Sequence, residues 1–183
     1  MKKPLLALPV AAAAAAAVVA LATPAVAAPT GDTVVTFTVA TADLNISVPP
    51  AVNLGSVFSG GVLTGELGTV KVTDSRAALA ATWVTTVSSS AFTTGSGTAE
   101  ETISPALVEY WSGQATAVTG TGTVVPGQPT QTDAVSLSAP RTAFSKTSGS
   151  GNNSVAWAPD VRIAVPATAV GGTYTGVITH SVA

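Results

Sequence analysis

Apolar and polar residues alternate with a period of two along most of this chain beyond residue 33, the pattern of strands that turn one face to a core. Val35, Phe37 and Val39 face one way, with Val34, Thr36 and Thr38 opposite, which predicts a strand over 33–40. After the Thr41-Ala42-Asp43 break, Leu44, Ile46 and Val48 repeat the pattern until Pro49-Pro50 ends it, because proline cannot donate to a ladder. Val52, Leu54 and Val57-Phe58 predict another short strand, and Ser59-Gly60-Gly61 a turn before Val62-Leu63. Residues 67–88 read as strand, turn, strand. Val70 and Val72 share a face, Asp74-Ser75-Arg76 breaks the run, and Ala81, Trp83, Thr85 and Val87 share a face of the next strand. This is the predicted central hairpin, and Trp83 its largest anchor.

Farther along, 91–101 predicts a surface loop, with a strand end at Phe92, and 108–111 a strand. The Gly-, Thr- and Pro-rich stretch 112–133 predicts a long connection holding one edge strand at 122–125. Strands are expected at 134–138, 141–146, 155–157, 161–165 and 173–182, with a flexible turn at 147–154 and a short helical turn near 77–80. In the last strand Tyr174, Gly176, Ile178, His180 and Val182 share one face. Turn signals at such close spacing predict an all-β single domain, an antiparallel β-sandwich with Greek-key-like links, a β-barrel being the alternative.

The first residues follow a different pattern. Lys2 and Lys3 precede an apolar, alanine-dominated run from Leu5 to Leu21, and Ala25-Val26-Ala27 supplies small residues for cleavage. Residues 1–27 are therefore expected to be a secretory signal peptide and 28–183 the domain, secreted and extracellular. No later apolar run has membrane-spanning length, so no transmembrane anchor is expected in the mature chain. The sequence has no cysteine, which excludes disulfides and thiolate metal sites.

Only 9% of residues are charged, against about 25% in a typical soluble protein. Without Lys2 and Lys3 the balance is five basic to nine acidic residues. That balance disfavours nucleic acid as a partner and leaves neutral glycans and peptides open. Catalytic chemistry has little to work with. The single histidine, His180, has no serine or cysteine nucleophile motif near it, and the carboxylates Glu100, Glu101 and Glu109 are the one set that could serve glycoside hydrolysis. No clustered metal ligands or phosphate-cradling loop occur, so no metal, no cofactor and no enzymatic activity are expected.

Binding residues are expected elsewhere. Neighbours on a strand face opposite ways, so either one of Tyr110 and Trp111 points outward, where an aromatic ring stacks on a sugar or anchors a protein, or both are covered by the 112–133 connection. Asp74 and Arg76 form a candidate polar pair for a wall peptide or sugar, or else a capped turn in which Arg76 pairs with a carboxylate. Trp83 and Trp157 fit core positions as structural anchors.

The stretch VTDSRAALAATWVTTVS resembles the central motif of the WxL family of bacterial cell-surface proteins, through Val72, Asp74, Ser75, Arg76, Trp83, Thr86, Val87 and Ser88. In that family an Asp-x-Arg turn leads to a Trp-x-Leu strand, with a second Trp-x-Leu near the C-terminus. Here the two sites read Trp83-Val84-Thr85 and Trp157-Ala158-Pro159. The resemblance implies an extracellular β domain held non-covalently on peptidoglycan. The expected partners are accordingly the cell-wall glycan or another surface protein, and the runner-up role is a structural subunit that assembles by strand addition.

Overall fold

The structure is a computed structural model that describes residues 33–183; the predicted signal peptide lies outside the described residues. By contact the chain divides into a unit ending at Phe37 and a unit from Thr38 to Ala183. In the first, residues 33–37 form no strand, and Val34, Val35 and Phe37 are strongly exposed. The strand predicted over 33–40 is absent. Alternation supplies a face, but a strand also needs a partner row for its N–H and C=O groups, and no described residue supplies one.

The second unit carries β1 (Leu44–Ser47), β2 (Val62–Glu66), β3 (Val70–Asp74), β4 (Trp83–Ser89), β5 (Phe92–Thr93), β6 (Thr102–Ile103), β7 (Val108–Trp111), β8 (Ala115–Thr119), β9 (Val124–Pro126), β10 (Val135–Ser136), β11 (Arg141–Lys146), β12 (Asn153–Trp157), β13 (Asp160–Ala164) and β14 (Ile178–Val182). All ladders are antiparallel. Three sheets have the strand orders β1-β3-β12-β8, β10-β7-β13-β2 and β14-β4-β11-β9, and β5-β6 form a small ribbon. The sheets do not close into a barrel.

The first two sheets are one bent layer. β2 runs into β3, β12 into β13 and β7 into β8, and the paired runs keep their neighbours on both sides of a shared crease. Each run bends at a residue suited to it. Gly68 (φ 83°) and Gly113 (φ 66°) take the left-handed conformation that side chains resist, and Pro159 interrupts the third run. The Leu67 N–H donates to the Pro159 carbonyl and ties two of the bends together.

The third sheet packs across this layer on both sides of the crease. On one side Val87, Val108, Tyr110, Leu137, Ala143, Val161 and Ile163 form a buried cluster. On the other, Val70, Val72, Trp83, Phe144, Val155 and Trp157 do so, with the Phe144 and Trp157 rings stacked at 4.8 Å. The architecture is thus an all-β, sandwich-like domain. Trp83 and Trp157 are 2% and 0% exposed, in the core positions expected of them.

The predicted central hairpin does not form. β3 and β4 lie in different sheets and face each other across the core, and residues 75–82 are an arch between layers. The apolar face of each strand was legible; its neighbour was not, because a hairpin and an arch bury the same alternate residues. Three backbone-directed bonds dock the arch on the loop before β12: Ala81 N–H to Gly149 O, Ala77 N–H to Asn152 Oδ1 and Gly151 N–H to Ala78 O. The helical turn predicted near 77–80 is replaced by this arch, and short 3-10 turns occur instead at Pro105–Leu107 and Gln131–Asp133. The run 52–58 is not a strand, and 115–119, read as connection, is β8.

Candidate functional site

Asp74 ends β3 on the core side and is 0% exposed. Its carboxylate accepts from the Arg76 backbone N–H at 3.1 Å and from Arg76 Nε and Nη2, each at 2.9 Å. Asn153 Nδ2 donates to it at 3.3 Å. Arg76 Nη2 also donates to the Thr82 carbonyl across the arch, and Trp83 Nε1 donates to Asn153 Oδ1 at 3.0 Å. The guanidinium beside it holds the Asp74 carboxyl down to about 2, and the carboxylate in turn raises the Arg76 pKa. All the groups in this network face one another. The pair forms the capped turn given as the alternative reading: it clamps the arch, and Asn153 links it to Trp83. Asn153, which reaches Asp74 and Trp83 from 70 or more positions away and also donates to Gly151 O, is the member that sequence reading did not find.

Tyr110 and Trp111 correct the second expectation. They are 0% and 8% exposed, so neither presents a ring to a ligand. β7 lies inside its sheet, between β10 and β13. Tyr110 faces the core, while on the other side the Gln131–Asp133 turn packs against β7 and Gln128 O accepts from Ser112 Oγ and Gly113 N–H. The rule that neighbours face opposite ways holds, but both faces are covered. Cross-strand from Trp111 is Asp160, whose pKa is raised by burial and by Glu66, with Trp111 in partial opposition.

Tyr110 belongs to a buried polar chain. Trp157 Nε1 donates to the Tyr110 hydroxyl at 3.4 Å, and that hydroxyl lies 3.1 Å from His180 Nε2. Burial lowers the His180 pKa to about 4 and raises that of Tyr110. The imidazole is therefore neutral near pH 7. Among the described residues the phenol proton has no acceptor other than Nε2, so in the arrangement that satisfies it the hydroxyl donates to Nε2 and the imidazole proton sits on Nδ1. No nucleophile takes part. Two of the carboxylates considered for glycoside hydrolysis are engaged separately: Glu109 pairs with Arg162 at 2.9 Å on the surface, and Glu101 accepts the N–H groups of Ser96 and Thr98 in its own loop. Among the described residues no group of three or more His, Asp or Glu is placed to hold a metal ion.

What the surface does offer is a groove along one seam of the sandwich. Two adjoining clefts, of about 200 and about 570 Å³, share Val52, Leu54, Phe92 and Gly176. Residues 48–59 form one wall and 170–178 the other; His180, neutral as argued, is the only ionisable side chain in the narrower cleft, and Tyr174 the only one in the wider. β14 flanks the narrower cleft and is an edge strand. Val84 and Ala183 exchange both backbone hydrogen bonds, so the N–H and C=O groups of Ile178, His180 and Val182 point away from β4. No described residue pairs with them. Sequence reading placed these three residues on one face but could not show that the neighbouring edge was free.

Compared with protein-family models, curated proteins and solved structures, the chain has no match in any of the three. Among the described residues no helix is long and apolar enough to cross a membrane.

Proposed function

We propose that this is a secreted, non-enzymatic protein of the bacterial surface that holds an extended segment of another protein in its seam groove. The observation that carries this reading is the uncharged groove, lined by both apolar side chains and polar groups, beside an unpaired strand edge. Backbone groups on such an edge bind a strand of any sequence, and neighbouring apolar clefts select its alternate side chains. Sugar recognition has less to rest on, since Trp83, Tyr110, Trp111 and Trp157 are all inside. The signal-like N-terminus and the resemblance to WxL proteins support an address at the cell wall.

Retention on envelope fragments tests this, using fragments before and after protease stripping and Val52→Asp alongside the wild type. Val52 is 45% exposed and lines both clefts, so the change alters the groove and leaves the core intact. The expected result is retention on unstripped fragments alone, and weaker retention of the variant. Undiminished retention on stripped wall would transfer the function to glycan, and retention that ignores Val52→Asp would reject the groove.

A further inference from the structure

The segment 33–40, TVVTFTVA, has a strand's side-chain pattern and no strand to belong to. Val35, Phe37 and Val39 are 79%, 87% and 68% exposed. The segment carries no charge, and it makes no hydrogen bond to any described residue. The same chain has a groove whose lining is uncharged near pH 7 and whose β14 edge lacks a neighbour. We infer that residues 33–40 of one copy add as a strand to the β14 edge of a second copy, with Val35, Phe37 and Val39 turned into the seam groove. This rests on the groove being the binding site, and it names the occupant.

Dimensions and chemistry agree. At ~3.3 Å per residue the segment spans roughly 26 Å, more than the roughly 17 Å of β14, so it reaches past Gly176 into the wider cleft. The outward N–H and C=O groups of Ile178 and His180 gain the partners that β4 does not give them. Threonines at 36 and 38 would then face water, as on the solvent side of any edge strand.

Within one chain residues 33–40 take no strand pairing and the outer edge of β14 has no partner among the described residues, so both are left for a second copy. A donor segment and an acceptor groove at different places on one chain make a head-to-tail contact, which propagates unless it happens to close.

The test is sedimentation velocity of the purified protein across a range of concentrations, with Phe37→Asp in the donor and Val52→Asp in the acceptor. Both positions are exposed, and circular dichroism with a melting curve confirms that each variant folds. Wild type is expected to form a concentration-dependent series of oligomers. Each variant alone should associate about tenfold or more weakly. An equimolar mixture should recover dimers and stop there, since one intact donor then meets one intact groove. Wild type that stays monomeric overturns the inference, as does a mixture that behaves like its components. If that happens while Val52-dependent retention on unstripped envelope persists, the groove serves a different protein. Loss of both removes the groove reading as well.

Discussion

Protonating His180 should destabilise this fold in a pH window of its own. The imidazole accepts the Tyr110 proton at Nε2, and burial lowers its pKa from 6.5 to about 4. A protonated ring would present a donor to a hydroxyl whose own proton then has nowhere to go. The folded pKa lies below the unfolded one, so the unfolded chain binds the proton first. The contribution of His180 to stability is therefore full above about pH 6.5, falls as pH drops toward about 4, and levels off below. At about 1.4 kcal/mol per pKa unit the loss is about 3 kcal/mol. Urea titrations followed by tryptophan fluorescence, from about pH 7.5 to about pH 4, measure it. His180→Asn is the control. Its amide oxygen can accept the phenol proton, but the side chain does not titrate, so the variant should be flatter across the same window even if it begins about 1 kcal/mol less stable. Asp160, with its raised pKa, contributes equally to both proteins. A wild-type curve that is flat between 6.5 and 4, or a variant with the same slope, would refute the buried-imidazole argument.

The clamp, the core and the crease give four more predictions, each read as a shift in the urea midpoint. Asp74→Ala removes a fully buried carboxylate that holds Arg76 and Asn153; it should cost about 3 kcal/mol, at the low end for a broken buried pair because Arg76 remains 38% exposed. In wild type that carboxylate should also produce a second stability loss as pH falls from 3.8 toward about 2, since its folded pKa is the lower one. Thr85 is 0% exposed and its hydroxyl has no partner among the described residues, so Thr85→Val should raise stability by about 1 kcal/mol. Gly68→Ala places a side chain at φ 83° with its Cβ 2.9 Å from Pro49 Cγ; a loss of about 2 kcal/mol is expected, against little or none for alanine at the open, negative-φ Gly171.

What could be read from the sequence divides along a physical line. Side-chain alternation reports which residues share a face; at β3, β4 and β7 those faces are buried, and at β14 the face is half-buried, whereas β11 buries the consecutive Ala143 and Phe144 across a bulge. Alternation says nothing about partners, since backbone pairing is the same for every residue type. The supposed hairpin at 67–88 became an arch for that reason. For Tyr110 and Trp111 alternation left two readings open for a related reason: a ring is exposed only if its face of the sheet is left uncovered, and the cover on β7 comes from distant segments, Val87 and Ile103 on the core side and residues 128–133. The Asp74 clamp was half legible. The Asp-x-Arg spacing announced a capped turn, while Asn153 and Trp83 joined it through tertiary contact.

Residues 33–40 fit the same distinction from the other side. Their alternation is as regular as that of β3, yet they are not a strand, so pattern and pairing come apart within one chain. β14 presents the opposite deficit, with backbone groups aligned for a neighbour and uncharged clefts beside them but no neighbour among the described residues. An uncharged segment that exposes three large apolar side chains is costly to leave in water, and an open edge is a standing template for addition. Natural sequences usually blunt one or the other with charge or proline. Here residues 33–40 contain neither, and the β14 residues 178–182 contain neither. The economical account is that the segment and the edge are complementary across two molecules.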